Sequence, residues 1–214
     1  MSRKSGHWFS DKDMRQRKNA ERVSNHSIGS TRYNAGMRHA LKRHPDSLGG
    51  AAARVEVEAA RPEAGRLALS YVVTGPLADL HLPPAATARR AHALWEHTCF
   101  EVFIRAAPGG GYYEFNFAPS THWAAYWLTG YRSGMEAARE IGDPAIAVQS
   151  SAERYTLRAV LDLGRLSRLP RAGWRIGLSA LVEDVNGRKS YWALAHPPGK
   201  PDFHHSDCFA YEFS

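Results

Sequence analysis

The sequence predicts an all-β protein, a two-sheet antiparallel β-sandwich of jelly-roll or immunoglobulin-like kind with short helical turns. Three observations predict it. From about residue 53 onward, short runs alternate apolar and polar residues, as half-buried strands do. Gly and Pro separate the runs, and nine or ten of them fit in roughly 165 residues, a density typical of sandwiches. Six Trp, nine Tyr and eight Phe, within 43% hydrophobic residues, supply enough bulk for a packed core.

The elements follow in order. Residues 1–44 carry 11 Lys and Arg against 3 Asp and Glu, a balance of +8, while the remainder carries 17 against 18, a balance of −1. All the excess of the +7 chain therefore sits in the first segment. That segment has no sustained period and only isolated apolar residues such as Trp8, Phe9 and Ile28. It reads as a disordered basic extension, with the sandwich domain occupying 45–214. Any contact with nucleic acid would be weak and confined to this tail, because no recognition helix or aromatic interleaving accompanies the charge. Val55 and Val57 alternate with Glu56 and Glu58. Leu67, Leu69, Tyr71 and Val73 form a second strand that ends at Thr74-Gly75-Pro76. Further strands are expected at 97–105, 112–118, 122–128, 145–150, 154–162, 174–183, 189–195 and 207–213. Helical turns are expected at 132–140 and after Asp162, where Leu163, Leu166 and Leu169 recur every three residues.

The hairpin 97–118 is the most informative stretch. Its turn, Ala106 to Gly111, is rich in loop formers. A six-residue loop pairs Ile104 with Tyr113, Val102 with Phe115 and Phe100 with Phe117, all apolar and all on one face. That face is the expected core. The other face holds Glu101 with Asn116 and Phe103 with Glu114, and is expected to be solvent-accessible. A slip of one residue would mix the two sets. Carboxylates and an amide on an open sheet face, flanked by aromatic rings, suit hydrogen bonding and stacking against a sugar.

The segment Trp95-Glu96-His97-Thr98-Cys99-Phe100-Glu101-Val102-Phe103-Ile104 resembles the strand of family-9 carbohydrate-binding modules in which a Trp precedes a Glu by six residues. Tyr113 to Ser120, Tyr131 to Met135, Ser190 to His196 and Pro201 to His205 are similar to the DOMON-like domains related to those modules. The resemblance spans roughly 40–214. It implies a sandwich in which two aromatic rings hold a terminal sugar while polar side chains bind its hydroxyls. On that basis the ligand-binding residues are Trp95, Glu101, Glu114, Asn116 and Phe203. Asn116 stands where those modules often carry a basic residue, and Phe203 stands where a Trp would stack better. The implied function is a non-catalytic module for a carbohydrate or similar small polar ligand.

Other chemistries have weaker signals. His196, Asp202, His204, His205 and Asp207 cluster in sequence without zinc-site or calcium-loop spacing, so neither metal nor cofactor is expected. A haem-binding DOMON cytochrome is one alternative, with Met135 as an axial ligand. A glycoside-processing enzyme using Glu101 and Glu114 is another. No Gly-x-Ser-x-Gly elbow occurs. No apolar run reaches 18 residues, and the charged start carries no apolar signal-peptide core, so no membrane partner is expected. Cys99 and Cys208 are expected to be reduced core thiols, which points to a cytoplasmic setting.

Overall fold

The computed structural model describes residues 36–48, 50–106, 110–170 and 173–213. The expected disorder of the basic extension lies outside these residues. Thirteen strands form two antiparallel sheets: β1 (Met37–Ala40), β2 (Lys42–Arg43), β3 (Arg54–Ala60), β4 (Arg66–Thr74), β5 (Cys99–Ala106), β6 (Tyr112–Phe117), β7 (Trp123–Leu128), β8 (Glu136–Ala137), β9 (Ala145–Ser150), β10 (Arg154–Asp162), β11 (Trp174–Glu183), β12 (Lys189–Ala193) and β13 (Tyr211–Phe213). The smaller sheet runs β1-β3-β4-β10-β9. The larger runs β2-β12-β11-β5-β6-β7-β8, with β13 also on β11.

Alternation builds the core between the sheets. In β4, Leu67, Leu69, Tyr71 and Val73 point inward and are fully buried or nearly so, while their neighbours are half-buried or exposed. The larger sheet answers with Phe100, Val102, Phe115, Phe117, Trp174 and Ile176, none more than 1% exposed. The expected hairpin register is present from Phe100 opposite Phe117 to Ile104 opposite Tyr113. The Tyr71 hydroxyl crosses between the sheets and donates to the Glu101 carbonyl at 2.6 Å, giving this buried phenol its partner.

Four expectations need correction. Residues 37–43, assigned above to the extension, are strands: β1 pairs with β3, and β2 pairs with β12 in the other sheet. Leu41 lies between them, buried in the core, where the chain crosses from one sheet to the other. Their charged residues sit on edges, so the apolar pattern that betrays a central strand is missing. The helical turn expected at 132–140 is instead an isolated bridge, Gly130 with Ser133, followed by β8. The Leu163, Leu166 and Leu169 repeat forms successive turns with i to i+3 backbone hydrogen bonds and no helix, and it seats Leu163 and Leu166 in the core.

The outer face of the larger sheet is also covered, and here the expectation of a solvated face fails. Every residue of β6 is buried, as is every residue of β5 from Cys99 to Ile104. The connection between β12 and β13 crosses this face as a strap, placing Phe203 and Phe209 against Phe103, Tyr112 and Leu128 in a second apolar cluster. Gly177 is where the strap comes nearest. A Cβ built there would stand 3.0 Å from the Cys208 carbonyl oxygen and 3.5 Å from Phe103 Cβ, so the close approach depends on the missing side chain. The Cys208 thiol is the strap's internal tie, within 3.2 Å of the Ala195 carbonyl and 3.1 Å of the Asp202 carbonyl. Both cysteines are free and buried.

Candidate functional site

A cleft of about 440 Å³ opens where the strap leaves part of the outer face uncovered. Its floor comes from sheet residues that alternation turns outward, Glu101 on β5 and Glu114 on β6. One wall is the short 3-10 turn Leu94–Glu96 that carries Trp95. Ala93, just before it, adopts a left-handed backbone (φ 57°), a conformation that costs energy for a residue with a Cβ. The turn presents the Trp95 ring edge-on to Tyr126, with centroids 5.8 Å apart, and leaves Trp95 37% exposed. The opposite wall is the strap, with Pro201, Phe203 and His204.

Four of the five residues singled out in the sequence thus line one cleft: Trp95, Glu101, Glu114 and Phe203. Asn116 shares the sheet face of Glu101 and Glu114 but does not line the cleft. Its side-chain nitrogen donates to Glu114 Oε1 at 2.8 Å, and it has no exposed surface. Phe203 is only 8% exposed, because its ring packs toward Tyr191 and His196, so it supplies wall more than stacking surface. Tyr191, half-buried on β12, is a second ring in the cleft that the sequence reading did not single out. Met135 also lines it.

The floor is electrostatically unusual. Glu101 and Glu114 are 4% and 3% exposed on one sheet face. Burial pushes the Glu101 carboxyl well up from the ordinary carboxylate range, and the neighbouring Glu114 charge adds to the shift. A hydrogen bond from the Ser179 hydroxyl at 3.4 Å opposes it. Burial also raises Glu114, against the Asn116 hydrogen bond and the nearby Arg132 charge. Glu114 Oε2 and Asn116 Oδ1 are buried with no hydrogen-bond partner among the described residues, which leaves one acceptor unused on a floor residue and one beside it.

Arg132, also missed in the sequence, stands at the mouth in a left-handed conformation (φ 49°). Asp202 holds it, with Asp202 Oδ1 2.8 Å from Arg132 Nη2 and 3.2 Å from Nε, and it also accepts from the Tyr131 hydroxyl and the His204 backbone N–H. Burial would raise Asp202, but the Tyr131 and Arg132 hydrogen bonds outweigh it and hold the carboxylate below its usual range. Burial and the Arg132 charge push the His204 imidazole down to about 4, so it is neutral at neutral pH. His204 Nδ1 meets the Tyr112 hydroxyl at 2.7 Å. Asp202 therefore holds Tyr131, Arg132 and the strap backbone at His204 at once, and the last two line the cleft. The only hint in the sequence was the density of polar residues in 201–207.

No protein-family model matches the sequence, and no curated protein matches it significantly. Among solved structures, the chain is similar to a proposed carbohydrate-binding protein from Bacteroides uniformis, with 13% identity and a TM-score of 0.55 over 81% of this chain and 84% of that one. A family-9 carbohydrate-binding module from Caldicellulosiruptor kristjanssonii, solved with cellotriose, gives 11% identity and a TM-score of 0.49 over 79% and 78%. At such identity the first likeness speaks to the fold, which it places among sandwiches of this architecture.

Proposed function

We propose that the chain is a DOMON-like, non-catalytic binding module whose ligand is the end of a neutral carbohydrate. The observation that carries the reading is the pairing of an exposed aromatic ring with a buried, unused acceptor across a single cleft. Sugars offer a weakly polar C–H face for Trp95 to cover and hydroxyl donors that would satisfy Glu114 Oε2. Arg132 and Tyr191 supply further polar contacts at the rim. The volume suits one or two sugar rings, within the size range of small-molecule sites. The description of the Bacteroides uniformis protein as carbohydrate-binding agrees with this reading.

Calorimetric titration with neutral mono- and disaccharides tests it. Binding that disappears in Trp95→Ala is expected. Failure of every saccharide to bind at millimolar concentration would refute the reading. The raised carboxyls also favour a second reading, since a glycosidase needs a protonated acid beside a second carboxylate. Release of a chromophore from a nitrophenyl glycoside, lost in Glu101→Gln, would establish that reading in place of simple binding.

A further inference from the structure

Away from the cleft floor, metal-ligating side chains from three separate segments converge on one point. His81 Nδ1 and His97 Nδ1 lie 3.0 Å and 2.7 Å from the same oxygen, Glu183 Oε2. The three donor atoms all fall within 4.8 Å of one another, and no other such group of three occurs among the described residues. Glu183 ends β11, His97 follows the Trp95 turn, and His81 follows the 3-10 turn Leu77–Asp79.

The backbone holds these segments together independently of the side chains. The His81 N–H donates to the Glu183 carbonyl at 2.8 Å, beside a β-bridge between Leu80 and Asp184. Thr98, 1% exposed and adjacent to His97, donates its hydroxyl to the His81 carbonyl at 2.8 Å and accepts the Glu183 N–H at 3.0 Å. One buried hydroxyl therefore ties all three ligand-bearing segments, as supporting groups of metal sites do.

We propose that His81, His97 and Glu183 bind a divalent transition-metal ion of the zinc class, with a fourth position open to water. Two imidazoles and one carboxylate form an established zinc donor set. Ligand atoms around a tetrahedral ion with bonds of about 2.0–2.1 Å stand about 3.3–3.4 Å apart, so the two separations from Glu183 must widen by about 0.3–0.7 Å while the imidazole nitrogens, within 4.8 Å of each other, draw together, an adjustment open to exposed side chains. Both imidazoles turn Nδ1 inward while their side chains remain 45% and 61% exposed, which gives an ion a way in and water a place to bind. The other close histidine pair, His44 and His196, lacks these features. Its His44 Nδ1 accepts the Asp46 N–H, and its His196 Nε2 faces the Lys42 carbonyl.

The test uses the untagged full chain after chelator treatment, titrated with zinc by calorimetry and with cobalt(II) by visible absorption. One zinc per chain is expected, together with the intense visible bands of four-coordinate cobalt. His97→Ala and Glu183→Gln should each weaken zinc at least about tenfold, whereas His205→Ala, in the exposed part of the strap, should leave it unchanged. Zinc should also raise the melting temperature of the native chain and of His205→Ala only. Absence of a stoichiometric zinc site would overturn the proposal and leave Glu183 as a hydrogen-bond hub for two histidines. Binding that persists undiminished in both ligand variants would overturn it too.

Discussion

Asn116 donates its side-chain amide to Glu114 Oε1 at 2.8 Å, two residues along the same strand, while Glu114 Oε2 on the same carboxyl lies buried without a partner. The pair is satisfied from within the sheet at one carboxylate oxygen and left without a protein partner at the other. Asn116→Ala should therefore destabilise the fold by about 1–3 kcal/mol, the cost of leaving a buried polar group unpaired. Urea denaturation would measure it. An open, solvated face would make the change nearly neutral.

Phe115→Ala should cost about 3–5 kcal/mol, since its ring is fully buried at the centre of the core and the neighbouring strands cannot close the gap. The same denaturation experiment applies, and a loss below about 1 kcal/mol would contradict the packing.

Trp95→Ala should abolish saccharide binding while moving the melting temperature little, because over a third of Trp95 is exposed and its principal neighbour is Tyr126. A large drop in melting temperature would assign Trp95 a role in closing the core.

Stability should respond to pH through the floor. Glu101 and Glu114 have folded-state values above those of the unfolded chain, so the folded state holds protons that the unfolded state has already released. Their contribution is fully present below the unfolded carboxylate range and is lost as pH rises through the elevated folded values. His204, with its lowered value, works in the opposite direction between about 4 and its ordinary 6.5. The carboxyl effect is therefore cleanest above that window. Denaturation midpoints measured upward from pH 7 should fall for the native chain and fall less for Glu101→Gln.

Gly177→Ala should weaken the seat of the strap, since the new methyl meets the Cys208 carbonyl at 3.0 Å. A loss of about 1–3 kcal/mol, in the range of overpacking, is expected in thermal or urea unfolding.

The β5–β6 register was legible because its apolar pairs fall on one face only if Phe100 meets Phe117. Both strand edges and strap escaped for definable reasons. Arg38, Lys42 and Arg43 look like tail charge until β3 and β12 are seen beside them. The strap has no period of 2 or 3.6, so nothing in its sequence says that Phe203 and Phe209 will roof a sheet face. Hence Glu101, Glu114 and Asn116 were correctly placed together yet wrongly expected to be wet. Arg132 and Tyr191 enter the cleft through tertiary neighbours that no local pattern encodes. His81, His97 and Glu183 meet only because the segment after Leu77–Asp79 pairs with the end of β11.

Cover on both sides of the larger sheet also changes what cleft occupancy can report. The β5–β6 hairpin is shared by two apolar clusters, so its backbone amides are freed only when the sandwich itself opens. A ligand resting on that hairpin is therefore coupled to global unfolding. Its affinity would register as slower hydrogen exchange in β5 and β6, strands whose inward side chains it never touches.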